Sequence, residues 1–248
     1  MALLEVQNIV KRYSKRDVVD NISLSIEAGD VVGILGENGA GKSTFMAMVA
    51  TLIKPTSGDI LYNGESIVKK PGIIRGKIGY VPQDIALYEE LSGIDNLKYW
   101  ARTYHLSHNR LEQAVENIIE VIGLDRDKLK DKVSSYSGGM KRRVNIGIAL
   151  LNDPEVIIMD EPTVGIDIMS KEEILKVISV LNKQGKTVIY SAHYFEELEQ
   201  ICNKICIMMN GKVMEFSNIM DIIGDEPIKK SKLTEYYLHK YQGNVFLS

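Results

Sequence analysis

A glycine-rich segment with a single lysine constrains the fold of this chain more than any other part of the sequence. Residues 36–44 read Gly-Glu-Asn-Gly-Ala-Gly-Lys-Ser-Thr and fit the spacing G-x-x-x-x-G-K-[ST]. The mostly apolar run Asp30–Leu35 precedes the segment, and an apolar helical pattern follows it. A strand, a loop and a helix in succession are the setting in which this spacing forms a phosphate-binding loop. The segment therefore predicts an α/β fold built around a phosphate site.

The residue types of this loop suit the binding of nucleotide phosphates. Glycines allow successive backbone N–H groups to turn toward phosphate oxygens, and the helix that follows adds the positive end of its dipole. Lys42 supplies a positive charge to the β- and γ-phosphates, and the Ser43 hydroxyl is an oxygen ligand suited to Mg²⁺. The predicted nucleotide-binding residues of the loop are Gly36, Glu37, Asn38, Gly39, Ala40, Gly41, Lys42, Ser43 and Thr44.

A second apolar run, Val156–Met159, ends in the two acidic residues Asp160 and Glu161. Adjacent carboxylates at the end of a buried strand are unfavourable unless they meet a cation or a proton. Asp160 is therefore predicted to hold Mg²⁺, and Glu161 to polarise the attacking water as a general base. A glutamate in this position favours hydrolysis by water over transfer to another substrate, and no Asn-Lys-x-Asp segment that would select guanine is present.

The hydrophobic pattern predicts a P-loop NTPase (RecA-like) α/β core with an antiparallel β edge and an inserted α-helical subdomain. Residues 3–10 and 21–26 alternate as half-buried strands do, whereas 156–159, 187–190 and 205–209 are continuous apolar runs typical of a parallel sheet. From about 84 to 133 only helical patterns occur. We expect a nucleotide-binding domain over 1–224, with its core at about 1–83 and 134–224, and a short C-terminal tail over 225–248.

Composition and charge argue against several other classes of protein. The chain has 248 residues and a formal net charge of −3, so no overall electrostatic argument supports nucleic-acid binding. Its longest charge-free stretch, residues 43–53, is much shorter than the roughly 20 residues of a membrane span. The first residues lack the pattern of a secretory signal, and two cysteines, Cys202 and Cys206, provide no disulfide framework. We expect a cytosolic protein with free thiols.

Residues 134–143, Ser-Ser-Tyr-Ser-Gly-Gly-Met-Lys-Arg-Arg, resemble the signature motif of ATP-binding cassette (ABC) ATPases. In that family the serine hydroxyl, the glycine N–H groups and the helix N-terminus bind the γ-phosphate of a nucleotide held by the partner subunit. The resemblance assigns these roles to Ser137, Gly138 and Gly139. This chain has Met140 where the family usually has glutamine and Tyr136 where leucine is commoner, and neither departure touches the phosphate-binding positions.

Other elements of the ABC family occur in the order that the family has, over about residues 3–215. Tyr13 stands where family members stack an aromatic ring on adenine. Gln83, in Tyr-Val-Pro-Gln, resembles the glutamine that touches Mg²⁺ and the attacking water. Asp167 resembles the loop aspartate that communicates across the dimer, and His193 matches the histidine that contacts the γ-phosphate. By resemblance, the catalytic residues are Glu161, His193 and Gln83, and the Mg²⁺ ligands are Ser43, Gln83 and Asp160.

The resemblance implies an ATPase that works as one of a pair. A signature segment that acts on the partner's nucleotide requires two such domains, in a homodimer or a heterodimer, with ATP and Mg²⁺ as cofactors. The motif wording most resembles ATPases of ABC-2-type export systems, which implies separate integral membrane permease subunits and a location at the inner face of the cell membrane. Residues 84–97 lie where family members receive a helix of those subunits, although packing of the helical insert also explains their pattern. A soluble ABC ATPase of iron–sulfur cluster assembly is the alternative.

Overall fold

The computed structural model describes residues 2–104, 108–192, 194–224 and 231–242. In these ranges the strands are β1 Ala2–Tyr13, β2 Arg16–Glu27, β3 Val31–Leu35, β4 Ser57–Tyr62, β5 Glu65–Ser66, β6 Ile78–Val81, β7 Val156–Asp160, β8 Thr187–Ser191, β9 Lys204–Met209 and β10 Lys212–Asn218. The helices are α1 Lys42–Val49, α2 Gly72–Arg75, α3 Gly93–Thr103, α4 His108–Ile122, α5 Gly138–Leu150, α6 Ile168–Lys183, α7 Phe195–Ile201, α8 Met220–Ile223 and α9 Lys232–Tyr237. Short 3-10 turns lie at Lys128–Lys130 and Val133–Ser135, and a π-helical turn, Leu238–Gln242, follows α9.

The main sheet has six strands in the order β10-β9-β3-β8-β7-β6. Neighbouring strands from β9 to β6 run parallel, and β10 pairs antiparallel with β9. Every residue of β3, β7 and β8 is buried, which explains why these strands are apolar on both faces. Because β3, β6, β7 and β8 are parallel, the loops after them leave from one edge of the sheet, where ligands bind in such folds. The predicted P-loop NTPase core is confirmed, although β6 was not predicted as a strand.

The predicted antiparallel edge forms a sheet of its own, with the order β2-β1-β4-β5. In β1 and β2 the buried residues largely alternate with exposed ones, as the sequence pattern predicts. The buried face includes Leu4, Ile9 and Ile22, which share one hydrophobic cluster with Phe45 of α1 and Ile34 of β3. The apolar face of this sheet therefore packs toward helix α1 and one face of the main sheet, and the strands do not extend the main sheet.

Helices α3 and α4 lie in the predicted insert, and both pack against α5. A Cβ on Gly147 of α5 would lie 2.8 Å from Ile118 Cγ2 and 3.3 Å from Leu97 Cδ2, so the three helices approach closely only because this residue is glycine. Over the described part of residues 84–133 no extended strand occurs, and a single isolated bridge joins Ser92 to Lys132. Helix α5 contacts both the insert and the sheet, and the domain boundaries stay a prediction.

The described part of the predicted C-terminal tail, residues 231–242, is folded onto the domain. Leu233 and Tyr237 of α9 are buried, and the Tyr237 ring lies 5.3 Å from that of Phe195 in α7. The side chain of Glu199 in α7 accepts hydrogen bonds from Ser231 Oγ at 3.1 Å and from the Leu233 backbone at 2.5 Å. Among the residues that the structure describes, none of the helices is both long enough and apolar enough to cross a membrane.

Candidate functional site

The predicted phosphate loop connects β3 to α1 and packs tightly against neighbouring backbone. Gly41 adopts a left-handed conformation with φ of 100°, and a Cβ there would overlap the carbonyl oxygen of Val18. A Cβ on Gly36 would overlap the carbonyl oxygen of Met208. A side chain at either position would therefore displace the backbone that gives the loop its shape. The carbonyl oxygen of Ala40 in the loop accepts a hydrogen bond from the backbone N–H of Gly211, in the turn between β9 and β10, at 3.1 Å.

Lys42 brings the phosphate loop and the acidic strand end together. Its Nζ donates to the carbonyl oxygen of Gly36 at 2.8 Å and lies 3.6 Å from Glu161 Oε1. Both side chains are buried, so their charges interact in a medium of lower polarity than water. They border a cavity of about 400 Å³ whose lining comprises Val18, Glu37, Asn38, Gly39, Ala40, Gly41, Lys42, Ser43, Thr44, Gln83 and Glu161. The sequence motifs predicted this grouping except for Val18.

Ser191, the last residue of β8, holds both acidic residues at the end of β7. Its Oγ donates to Asp160 Oδ1 at 2.9 Å and accepts from the Glu161 backbone N–H at 2.9 Å. Glu161 itself has a positive φ of 48°, a conformation that L-residues adopt at a cost of about 1–3 kcal/mol and that is commoner at functional sites. Ser191 was not predicted as a site residue, because only the pairing of Asp160 with Ser191 across β7 and β8 brings this hydroxyl to the acidic pair.

Gln83 reaches Glu161 from the loop after β6. Its Nε2 donates to Glu161 Oε2 at 3.1 Å. The buried guanidinium of Arg142 in α5 supports this loop by donating to the carbonyl oxygen of Pro82 at 3.0 Å. Burial lowers the pKa of Arg142 from its usual value, and the charge of Asp84 acts in the opposite direction. The helix that begins at the signature segment therefore holds the loop that carries Gln83.

The signature residues are placed at a helix N-terminus away from this cavity. Ser137 caps α5, and its Oγ accepts from the Met140 backbone at 3.2 Å. A Cβ on Gly139 would overlap the Ser170 side chain of α6. Asp167 caps α6 by accepting from the Ser170 backbone at 3.0 Å, and this hydrogen bond lowers the pKa of Asp167. None of Ser137, Gly138, Gly139 and Asp167 borders the cavity that contains Lys42.

Two further predicted residues stand apart from the grouping around Lys42. Tyr13 is 48% exposed at the end of β1, with Lys11 Nζ 5.1 Å from its ring centre. Its hairpin partner β2 contributes Val18 to the cavity wall, which places the tyrosine on an element beside the phosphate loop. His193 lies outside the described residues, between the buried Ala192 and the exposed Tyr194.

Comparison with protein-family models matches residues 19–164, which include the phosphate loop, the signature segment and the acidic pair, to the ABC transporter model. The chain belongs to the ABC transporter family. This membership confirms the resemblance that the signature segment indicated. An ABC ATPase binds ATP and hydrolyses it to power transport, works as a pair of nucleotide-binding domains and acts with membrane permease partners.

Alignments with individual relatives cover most of this ABC ATPase. The linearmycin resistance ATP-binding protein LnrL of Bacillus subtilis is 44% identical over 220 residues, 89% of this chain and 70% of that protein. A Nod factor export ATP-binding protein I of Cupriavidus metallidurans is 35% identical over 225 residues, 91% of this chain and 74% of that protein.

Solved structures agree with the fold. CbiO1 from Clostridium perfringens, part of the ABC transporter complex CbiONQ, has a TM-score of 0.83 at 28% identity, with 98% of this chain and 96% of that one covered. An ATP-binding cassette solved as a dimer in a post-hydrolysis state with ADP and Pi has a TM-score of 0.78 at 27% identity, with 87% of this chain and 98% of that one covered.

Proposed function

We propose that this ABC ATPase is one of two nucleotide-binding subunits of an exporter whose membrane-spanning permease subunits are separate chains. The main support for the ATPase site is the proximity of Lys42 Nζ and Glu161 Oε1, which lie 3.6 Å apart in the wall of one cavity. Export is supported by the relatives, because LnrL is named for linearmycin resistance and another relative for Nod factor export. The motif sequences of this chain resemble those of ABC-2-type export systems, which agrees with the names of both relatives.

In the proposed reaction Glu161 accepts a proton from the water that attacks the γ-phosphate, and ADP and inorganic phosphate result. Lys42 stabilises negative charge on the β- and γ-phosphates, and the N–H groups of the loop bind their oxygens. Gln83, held on Glu161 by its amide N–H, orients the water, and His193 contacts the γ-phosphate. Tyr13 stacks on adenine from the hairpin beside the loop.

The oxygen donors at the site fit Mg²⁺. The Ser43 hydroxyl and the Gln83 side chain border the cavity, and the buried carboxylate of Asp160 follows on the adjacent strand end. Within the described ranges there is no cluster of three or more His, Cys, Asp or Glu side chains that could form a complete protein cage. Mg²⁺ typically takes only one or two protein ligands and completes its shell with phosphate oxygens and water. Bound there, it neutralises phosphate charge.

The signature segment supports pairing of two such chains. Ser137 and Gly138 are exposed at the start of α5, Gly139 is buried against Ser170, and none of the three borders the Lys42 cavity. Ser137 Oγ accepts from the Met140 backbone, and its O–H can still donate. A helix start with such a hydroxyl and with glycine N–H groups is suited to an anion, so the proposed anion is the γ-phosphate of the opposing subunit. Asp167, at the exposed start of α6, faces the same partner in this proposal. A homodimer and a heterodimer satisfy it equally.

A groove beside the Gln83 loop is the proposed docking place for a permease segment. It has a volume of about 730 Å³ and an apolar wall that includes Leu52, Tyr80 and Trp100. Trp100 Nε1 and Asn145 Nδ2, from two residues that border the groove, are buried without a hydrogen-bond partner among the described residues. Neither nitrogen is exposed to the groove, so the apolar wall is the surface that a docked permease segment would contact. Docking there places the subunit in the cytoplasm against the inner face of the membrane.

Replacement of the proposed base tests the ATPase site. Glu161→Gln keeps the shape of the side chain and removes its ability to take a proton, so we expect hydrolysis to fall about 10²- to 10⁴-fold. ATP binding should persist, and an ATP-bound dimer should accumulate in size-exclusion chromatography. Glu196→Gln, an exposed carboxylate in α7, is the matched control and should hydrolyse ATP as the wild type does. Wild-type turnover in Glu161→Gln would disprove the assignment.

Purification from detergent extract tests the transport partner. We expect a polytopic membrane protein to copurify with the wild type. Leu52, which is 59% exposed at the groove, and Met214, which is 51% exposed on β10, offer a matched pair of substitutions by arginine. Leu52→Arg should lose the membrane partner, and Met214→Arg should keep it. Copurification of soluble iron–sulfur scaffold proteins without any membrane protein would favour the alternative function instead.

A further inference from the structure

Glu197 of α7 is a buried carboxylate that does not border the nucleotide cavity. Only 1% of its surface is exposed. Its Oε2 accepts hydrogen bonds from Thr163 Oγ1 at 2.7 Å and from the Tyr190 hydroxyl at 2.5 Å. Its Oε1 lies 3.3 Å from Lys171 Nζ. Burial of a carboxylate is unfavourable unless partners of this kind compensate for the lost water.

The partners of Glu197 belong to the segments that carry the proposed catalytic groups. Thr163 lies in the turn between Glu161 and Asp167. Tyr190 of β8 directly precedes Ser191, whose hydroxyl holds both acidic residues at the end of β7. One carboxylate therefore joins the turn after β7 to β8, close to the strand ends that carry Asp160 and Ser191.

Lys171 links Glu197 to Tyr194, the residue that follows position 193. It stands in the first turn of α6, which Asp167 caps, and its Nζ lies 4.8 Å from the ring centre of Tyr194. Tyr190 and Tyr194 flank His193 in the sequence. The contacts of Glu197 thus reach the chain on both sides of that histidine, directly through Tyr190 and through Lys171 to Tyr194.

Anchoring of α7 by itself does not account for a carboxylate at this position. The next residue, Leu198, is fully buried, and Glu199 on the outer side is held by the backbone and side chain at the start of α9. An apolar residue at position 197 would pack α7 without the penalty of a buried charge. The specific gain from a carboxylate is orientation, because two hydroxyls donate to one of its oxygens and an ammonium nitrogen lies 3.3 Å from the other.

We propose that Glu197 is a positioning residue that sets the spacing between the segment from Glu161 to Asp167 and the end of β8. It acts on hydrolysis and not on the capture of nucleotide, because the phosphate loop has separate contacts to Val18, Met208 and Gly211. The inference rests on the proposed role of Glu161 as the base. A displacement of about 1 Å at a reacting group lowers turnover by about a hundredfold, so a modest shift of these segments is enough to be measured.

Steady-state ATP hydrolysis with the full chain separates this role from a purely structural one. Glu197→Ala and Glu197→Gln are compared with Glu196→Gln, the exposed neighbour in the same helix. We expect kcat to fall about tenfold to a hundredfold in Glu197→Ala and less in Glu197→Gln, which keeps one acceptor oxygen for the two hydroxyls. The Kd for a fluorescent ATP analogue and the KM should stay within about twofold of the wild type.

Two smaller changes keep the test decisive if Glu197→Ala does not fold. Thr163→Val and Tyr190→Phe each remove one donor and leave the carboxylate in place, and each should lower kcat without weakening binding of the analogue. Unchanged kcat in all these variants, or parallel losses in kcat and in nucleotide affinity, would overturn the positioning role. Glu161→Gln, measured in parallel, distinguishes the two failures: if it abolishes turnover while the Glu197 variants hydrolyse normally, only the present inference is wrong.

Discussion

Removal of one oxygen atom from Tyr136 tests how the signature segment is attached to the helical region. This residue stands directly before Ser137, at a position where the family more often has leucine. Its ring is buried, and its hydroxyl accepts from the Gly93 backbone at 3.2 Å and donates to the carbonyl oxygen of Lys128 at 3.0 Å. Tyr136→Phe removes both hydrogen bonds and leaves the ring in place. The first turn of α3 and the turn at Lys128 then lose their common partner.

The expected magnitude follows from these two contacts. A hydrogen bond inside a protein contributes about 0.5–1.5 kcal/mol, and a buried donor left without a partner costs about 1–3 kcal/mol. The N–H of Gly93 is such a donor, because a Cβ on Gly93 would lie 2.6 Å from the Tyr136 oxygen and 2.7 Å from Leu129 Cδ2, which leaves little room for water. We therefore expect Tyr136→Phe to lower the free energy of unfolding by about 1–3 kcal/mol.

Urea unfolding followed by circular dichroism measures this change, with the slope of the transition as a check that the two variants unfold alike. Tyr99→Phe is the matched control, since Tyr99 is 43% exposed and its hydroxyl lies 3.3 Å from that of Tyr88 on the surface. The control should stay within about 0.5 kcal/mol of the wild type. Equal stabilities of Tyr136→Phe and the wild type would refute the reasoning, because the two buried hydrogen bonds would then contribute nothing.

Three further predictions concern pH, thiol reactivity and the phosphate loop. The pKa of Glu155 is lowered from 4.5, chiefly by a hydrogen bond from Lys77. The stability that ionised Glu155 contributes is therefore present above pH 4.5 and is lost as the pH falls further. In Glu155→Gln, the free energy of unfolding measured with urea should decline less steeply with acid than in the wild type. Burial raises the pKa of Cys206 to about 12, so mass spectrometry after iodoacetamide at pH 8 should find this thiol unmodified until urea unfolds the chain. Gly41→Ala forces a Cβ onto the Val18 carbonyl at a φ of 100°, and ATP affinity measured by titration should fall about tenfold or more.

Strands with a clear hydrophobic pattern were predictable from the sequence. Short elements, and elements that form only through contacts with distant parts of the chain, were not. Alternation in β1 and continuous apolar runs in β7 and β8 reflect how many faces of each strand are covered, and burial in the structure matches them. Strand β6 has four residues and contains Gly79, so its sequence carries too little pattern; it is a strand because it pairs with β7. Helix α9 likewise depends on Leu233 and Tyr237 finding an apolar surface on α7 and the adjoining core.

The departure at Tyr136 shows a different limit of sequence reasoning. The motif identified the residue as unusual and assigned the signature roles to its neighbours, but the pattern contains no information about its contacts with Gly93, 43 residues away, or with Lys128, eight residues away. The same holds for the ties of Glu197 to Thr163 and Tyr190. Side-chain hydrogen bonds of this kind depend on the distance and direction that packing imposes, and hydrophobic periodicity does not encode either quantity.

The sequence by itself determined the chemistry of the phosphate loop, because nine consecutive residues between a strand and a helix suffice to point backbone N–H groups at an anion. A second local motif, the signature segment at residues 134–143, indicated the family. Only the tertiary structure decided how Lys42, Gln83 and Glu161 meet and which serine holds the acidic pair. The physical reason is the strand order: β8 lies between β3 and β7, so Ser191 reaches Asp160 while Lys42 and Glu161 face each other from the two sides.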